Sequence, residues 1–265
     1  MAALNSLHPA VGALFRNPII AVVVGLFGLL QLPQLALQPA QPVVAAVISL
    51  GVTGVLIFVM PFFQGGLLGM ADEALGGRTA LGTLVAEGKA NYVALLIAYL
   101  AVFAVNAVFS FVVIVGIIFG VVSLSVSDGQ SSLAVLGAVA AIGLLFFLAY
   151  LVIAFFIQFY AHAIVLSDTS LVDGFKRSVD LVRRNLVSVL AYSLILLAGS
   201  LVFGGIGGVA SMLLSPQSTA LPLPELSLPF LAVAAVVYVV ALAVLGGFYA
   251  TYSVAFYRSV GATPR

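Results

Sequence analysis

Five stretches of this sequence carry no charged residue at all: 17–71, 90–127, 129–167, 185–224 and 226–257. Nothing constrains the fold more tightly. A span of the hydrocarbon core needs about 20 apolar residues. The first stretch is long enough for two spans and is interrupted by a polar, proline-bearing segment (Gln31, Pro33, Gln34, Gln38, Pro39, Gln41, Pro42), and the other four hold one each. The expected fold is therefore all-α: a polytopic membrane protein with six transmembrane helices near 18–32, 43–70, 91–123, 132–166, 186–214 and 229–256, forming a single integral membrane domain over 1–265. The third and fourth exceed 30 residues and are expected to tilt or to extend past the hydrocarbon.

Composition excludes the alternatives. Only 6% of residues are charged and 64% are hydrophobic, against about 25% charged in a soluble domain, and the mean hydropathy is +1.32. A membrane barrel would alternate polar and apolar residues in segments of about 10, whereas Val112 to Val122 runs apolar almost without interruption. The net charge of +1 gives no bulk attraction for nucleic acid. Cysteine is absent, which removes disulfides, thiolate metal sites and cysteine nucleophiles.

Basic residues set the orientation. With the N-terminus inside, all nine (Arg16, Arg78, Lys89, Lys176, Arg177, Arg183, Arg184, Arg258, Arg265) fall on the cytoplasmic side, and the outer loops carry only Asp128 and Glu225. The expected location is the cell (plasma) membrane, multi-pass, with both termini cytoplasmic.

Three inward junctions share a plan: an amphipathic segment, a basic residue, an Asn, then an apolar helix. They read Arg16-Asn17-Pro18, Lys89-Ala90-Asn91 and Arg184-Asn185-Leu186. Asn is expected to act as the N-cap of the following span, with Pro18 at a first helical position. The preceding segments, near 3–16, 79–89 and 170–184, are read as cytoplasmic helices lying on the membrane surface. The first carries Leu4, Leu7, Val11, Leu14 and Phe15 at helical spacing, the second Leu81, Leu84 and Val85, and the third Leu171, Phe175, Val179 and Val182. In the third, Ser170 with Asp173 reads as a capping box, and Asp173–Arg177 and Asp180–Arg184 as acid-first pairs. The chain thus suggests a threefold repeat of surface helix, span, span.

Tyr160-Ala161-His162-Ala163-Ile164-Val165-Leu166, followed by Gly174-Phe175-Lys176-Arg177-Ser178 and Leu181-Val182-Arg183-Arg184, resembles a pattern in a loose superfamily. It contains the membrane domain of membrane-anchored glycerophosphodiester phosphodiesterases and uncharacterised six-helix proteins of bacteria and archaea, and the overall style is similar to haloarchaeal members of unknown function. Phe175 stands where that pattern commonly has Ala. The resemblance implies a fold and no reaction, because the phosphodiesterase activity belongs to a separate catalytic domain.

Chemistry is sparse. An ionisable residue inside a span is a functional pointer by default, and His162 is the one candidate, with Gln158 a turn before it and Asp168 just beyond. Such a set would relay protons or bind a headgroup; the bland alternative is an interfacial His with one hydrogen bond. Asn106, mid-span, would bind a substrate or, more ordinarily, hydrogen-bond to a neighbouring helix. Lys176, Arg177, Arg183 and Arg184 form the basic face of the third surface helix. Asp72 and Glu73 read as part of a solvated loop. Tyr92, Tyr160, Tyr249, Tyr252 and Tyr257 read as an inner aromatic belt. Gln64 with Pro61 suggests a kink, and Gly65/Gly69, Gly116/Gly120 and Ser200/Gly204/Gly208 read as packing seams. No nucleophile elbow, P-loop or zinc-helix motif occurs, so no catalytic, cofactor or metal residue is assigned.

Three functions remain open: an accessory or scaffold subunit of a membrane complex, a transporter or permease subunit for a neutral or lipophilic solute, and a lipid-modifying enzyme with His162 as base. The expected partners are the bilayer and a membrane or cytoplasmic protein docking on 170–184.

Overall fold

The structure is a computed structural model that describes residues 2–29, 42–126, 130–214 and 228–261. The predicted turn at 31–41, and Asp128, Glu225 and Arg265, lie outside them. Among the described residues there is helix and no strand. The helices are α1 (Ala2–Asn5), α2 (Leu7–Arg16), α3 (Ile19–Leu29), α4 (Pro42–Gly76), α5 (Leu81–Ala90), α6 (Tyr92–Val126), α7 (Gln130–Ile157), α8 (Tyr160–Ser167), α9 (Leu171–Arg184), α10 (Leu186–Leu214) and α11 (Leu228–Gly261). Five candidate spans are long and apolar enough to cross a membrane, and α1–α2 with α3, bent by 81°, make a sixth if counted together. α6, at 35 residues, is about 52 Å long at 1.5 Å per residue, well beyond a hydrocarbon core of about 30 Å.

Two boundaries differ from expectation. α4 runs on through Gly76, so Asp72 and Glu73 are helical rather than in a loop. Each has a partner: Asp72 accepts from Arg258 Nε at 2.6 Å, tying α4 to the end of α11, and Glu73 accepts from the hydroxyls of Thr79, at 2.8 Å, and Thr83. The fourth predicted span is two helices, α7 and α8, with a break at Gln158–Phe159.

The three Asn junctions share one geometry, but not the expected one. Asn17, Asn91 and Asn185 each close the helix before them: the side-chain amide donates to the carbonyl four residues back (Ala13 at 3.0 Å, Glu87 at 3.1 Å, Leu181 at 3.0 Å). The backbone N–H of each bonds the same carbonyl. The next helix starts by bonding the Asn carbonyl, from Ile20, Leu95 and Val189. The carboxamide thus relieves the orphan carbonyls of a C-terminus instead of the orphan N–H groups of an N-terminus. Asn17 does more, donating to Gly77 O at 3.0 Å and accepting from Thr79 N at 2.9 Å, which holds the α4–α5 turn.

Burial is concentrated at the end of the bundle where the charged residues lie. Its core unites Ala3 and Ala10, Leu68 and Ala71, Leu95 and Ala98, Phe159, Ala161, Ala163 and Ile164, Leu181, Val182, Val189 and Tyr192, and Ala250, Tyr252, Val254, Phe256 and Val260. At the opposite end Phe58, Phe111, Ile117, Leu145, Leu201 and Val236 are exposed, as suits helices whose solvent is lipid. Lipid gives apolar helices little reason to associate, so close contact needs small residues. Gly65, Gly66 and Gly69 of α4 receive α5 and the start of α6: a methyl at Gly66 would collide with the Leu84 carbonyl, and one at Gly88 would lie 2.8 Å from the Phe62 carbonyl. A second seam joins Gly25 and Gly28 of α3 to Ala243 and Leu242 of α11. Gly116 and Gly120 meet Val139 and Leu136 of α7 at ordinary contact. On α10, added methyls at Gly204 and Gly208 meet no other described residue of the chain.

The surface helices also depart from a purely lipid-facing role. On α9 the buried residues are Gly174, Ser178, Leu181 and Val182. Its inner face lies on the protein's own helices, while the charged residues point outward. On α1–α2 the chain buries Ala3, Ala10, Ala13 and Leu14 and leaves Leu4, Val11 and Phe15 exposed, Phe15 at 82%.

Gly66→Ala is expected to destabilise the protein by about 1–3 kcal/mol, since a backbone carbonyl cannot move aside as a side chain can. Gly204→Ala, in open space, is expected to leave stability unchanged. Thermal melts of the two variants in the same detergent compare them directly.

Candidate functional site

The break between α7 and α8 brings together Gln158, Ser178 and Ser193, with His162 one turn on. A break in a buried helix frees backbone groups that must find partners. Here the partner is Ser178, fully buried on α9. Its hydroxyl donates to the Phe156 carbonyl at 2.8 Å and accepts from the Phe159 N–H at 3.0 Å. One turn earlier on the same face, Gly174 lets α9 approach: a methyl there would lie 2.8 Å from Ile164 and 3.4 Å from the Tyr160 carbonyl. Phe175 stacks on Tyr160 with ring centroids 4.9 Å apart. The segment Gly174-Phe175-Lys176-Arg177-Ser178 therefore has a physical reading. Its first, second and fifth residues clamp the broken helix, and its two cations remain outside.

α9 begins as the capping-box reading expects, with Ser170 Oγ accepting from Asp173 N at 3.3 Å. The reciprocal bond differs: the Ser170 hydroxyl donates to the Asp173 carboxylate at 2.7 Å. That hydroxyl, and then the Lys176 ammonium, hold the Asp173 carboxyl below the usual carboxylate range. The acid-first pairs do not form. Asp173 pairs with Lys176 at 3.5 Å, and the other ion pair among the described residues is Arg258–Asp72. The hydroxyl bond fixes Asp173 against the first turn, where Lys176 lies nearer than Arg177.

His162, Gln158 and Asp168 are not joined. Gln158 donates to the Phe155 carbonyl at 2.8 Å, and Ser193 donates to it at 3.4 Å. Asp168 stands in the left-handed region at φ 47°, closing α8, a conformation that Asp adopts more readily than most residues; Thr169 donates to the Ala163 carbonyl at 2.9 Å beside it. His162, 8% exposed, packs edge-on to Phe159 at 5.6 Å and against Tyr257 at 5.5 Å. Both of its ring nitrogens are buried without a hydrogen-bond partner among the described residues. Leaving such a group unpaired costs about 1–3 kcal/mol.

Asn106 takes the structural alternative, donating to the Val102 carbonyl at 2.8 Å and accepting from the Tyr150 hydroxyl at 2.7 Å. Tyr150 also stacks on Phe109 at 4.8 Å, so a polar pair fastens α6 to α7. Two tyrosines read as belt residues are in the core: Tyr252 is fully buried and donates to the Ala3 carbonyl at 3.1 Å, and Tyr257 shares a hydrogen bond with Ser167 at 3.0 Å. Lys176, Arg177, Arg183 and Arg184 are exposed. Lys176, Arg177 and Arg184 line an open groove of about 830 Å³ between α9 and the end of α11, while Arg183 lies outside it. Among the described residues no cluster of His, Asp and Glu could hold a metal ion. Sequence reasoning missed Tyr150 and the task of Ser178; a tyrosine within an apolar run, 44 residues from Asn106, was the available signal for the first.

Ser178→Ala would leave the Phe156 carbonyl and Phe159 N–H unpaired, and is expected to lower stability by about 1–3 kcal/mol, read from the thermal midpoint. A double-mutant cycle of Asn106→Leu with Tyr150→Phe is expected to show a coupling of about 0.6–1.7 kcal/mol.

No curated protein and no solved structure matches this chain, and no finding links it to glycerophosphodiester phosphodiesterases or to haloarchaeal proteins. The match is to a domain of unknown function, DUF7847, over residues 1–260. By that match, which spans nearly all of the sequence, the chain belongs to the DUF7847 family.

Proposed function

We propose that this protein is an accessory or scaffold subunit of a membrane complex. It lies in the cell membrane with its charged end and both termini in the cytoplasm, and α9 is the helix that meets a partner protein. The observation that carries this reading is how its polar groups are engaged. Apart from Asp72, Glu73 and Arg258 at helix ends, His162 is the only acidic or basic side chain on the candidate spans among the described residues. The mid-span Asn106 is engaged with Tyr150. Coupled transport ordinarily uses ionisable groups near the midplane. The free charge is instead displayed on α9, whose other face is clamped to the bundle. The orientation rests on the excess of Lys and Arg at that end.

One observation favours a second reading, a permease subunit for a neutral or lipophilic solute. Discontinuous helices build substrate sites in many transporters, and α7–α8 is discontinuous. In that case α9 transmits the motion of a separate ATPase to the break. The lipid-modifying reading gains nothing, because no carboxylate bonds His162 among the described residues.

Extraction in a lipid-preserving polymer followed by mass spectrometry tests the scaffold reading. The expected result is a stoichiometric protein partner that is lost in Arg183→Glu, a substitution outside the α9–α11 groove. A preparation of this chain and lipid alone would overturn it, and solute uptake by proteoliposomes would then favour the permease.

A further inference from the structure

The groove between α9 and the end of α11 has a composition that its helices do not explain. Its cations are Lys176, Arg177 and Arg184, and its carboxylates are Asp173 and Asp180. Lys176 and Asp173 neutralise each other at 3.5 Å. Arg177 and Arg184 have no ion-pair partner among the described residues. They are seven residues apart on one helix, two turns along the same face and separated by about 10.5 Å of rise. Asp180 lies between them without capturing either. Three cations against two carboxylates leave one net positive charge in the lining. That balance disfavours a polyanion and suits a ligand with one negative charge.

The floor of the groove is apolar: Leu181 and Val260 line it and are 8% and 5% exposed. Asn185 closes one end, and α10 starts at the next residue. From there Val187, Leu190, Leu194, Leu197 and Leu201 follow one another down one side of α10, all exposed, Val187 at 77%. The cationic groove with its apolar floor thus reaches the junction from which this apolar face of α10 runs. α9 is also pre-set for binding, because Gly174, Ser178 and Val182 fix it against α7, α8 and the core before any ligand arrives, so little ordering is left to oppose binding.

We propose that this groove binds the phosphodiester of an anionic phospholipid, held by the guanidinium groups of Arg177 and Arg184, with an acyl chain on the exposed face of α10. Guanidinium matches phosphate oxygens through paired N–H donors, and basic pockets beside membrane helices recognise lipid headgroups. A soluble phosphate ester shares the headgroup chemistry. The apolar floor and the α10 track favour the lipid.

The test is native mass spectrometry of the full chain in phosphatidylcholine nanodiscs with and without phosphatidylglycerol. The expected result is selective retention of phosphatidylglycerol, weakened roughly tenfold or more in the double variant Arg177→Gln/Arg184→Gln. Arg183→Gln, which removes a charge outside the groove, is expected to retain it. Thermal melts of the same variants confirm that each is folded, and these exposed side chains carry no packing role. Retention of phosphatidylglycerol that is equal in the wild type and the double variant, or absent in the wild type, would overturn the proposal. Glycerol phosphate and inorganic phosphate, added to the phosphatidylcholine discs, separate the sources. Stabilisation by either to the same extent as by phosphatidylglycerol would overturn the lipid assignment.

Discussion

Every backbone N–H and C=O in a lipid-embedded chain needs a partner, because hydrocarbon supplies none. The described helices observe this constraint by placing their interruptions near the charged end. Each interruption has a specific patch. Asn17, Asn91 and Asn185 return a side-chain amide to the last turn of a surface helix. Ser178 bridges the carbonyl and N–H freed between α7 and α8. Thr169 takes the Ala163 carbonyl where Asp168 turns the chain through the left-handed region. A threefold pattern of surface helix and span follows from solving one problem three times with one residue type.

The same constraint explains where the molecule is tight. With no hydrophobic drive between helices in lipid, contact is decided by shape and by polar pairs. Gly66 and Gly88 bring α5 against the backbone of α4, Gly174 brings α9 against α8, and Arg258–Asp72 ties α11 to α4. These features all sit at one end. Toward the other end, α6 and α7 are held by a looser glycine contact and by the Asn106–Tyr150 bond. The bundle is therefore a clamped base with longer, lipid-facing arms, and α9 is the part of the base with the most charge on its free side.

Much of this was legible in the sequence, and the exceptions are instructive. Charge-free runs located the apolar helices, and 186–214 coincides with α10, because a basic residue and an Asn mark its start without ambiguity. The role of that Asn was not legible: an amide between two helices serves either one, and only geometry shows it closing the first. The break at Gln158–Phe159 was hidden because its repair comes from Ser178, 19 residues later, while the local run stays apolar. Amphipathicity showed that α9 has an apolar face but not what covers it; lipid and the protein's own helices present the same hydropathy. Tyr252 and Tyr257 were read as belt residues for a related reason, since a tyrosine that bonds a buried carbonyl has the same composition as one that meets headgroups.

His162 stands apart from the polar groups that flank it in the sequence. Its rarity within apolar helices made it the natural candidate for chemistry. The fold surrounds it with Phe159 and Tyr257, gives it no hydrogen-bond partner among the described residues, engages Gln158 with Phe155 and Ser193, and places Asp168 at the end of α8. Among the described residues nothing hydrogen-bonds its ring nitrogens. The charged residues of α9 have the opposite character. Each is ordinary alone, yet the clamp fixes their spacing, the Lys176–Asp173 pair removes one charge of each sign, and Arg177 and Arg184 remain with Asp180 over an apolar floor. Rigid placement at the rim of the bundle thus sets common side chains in a fixed array around one groove.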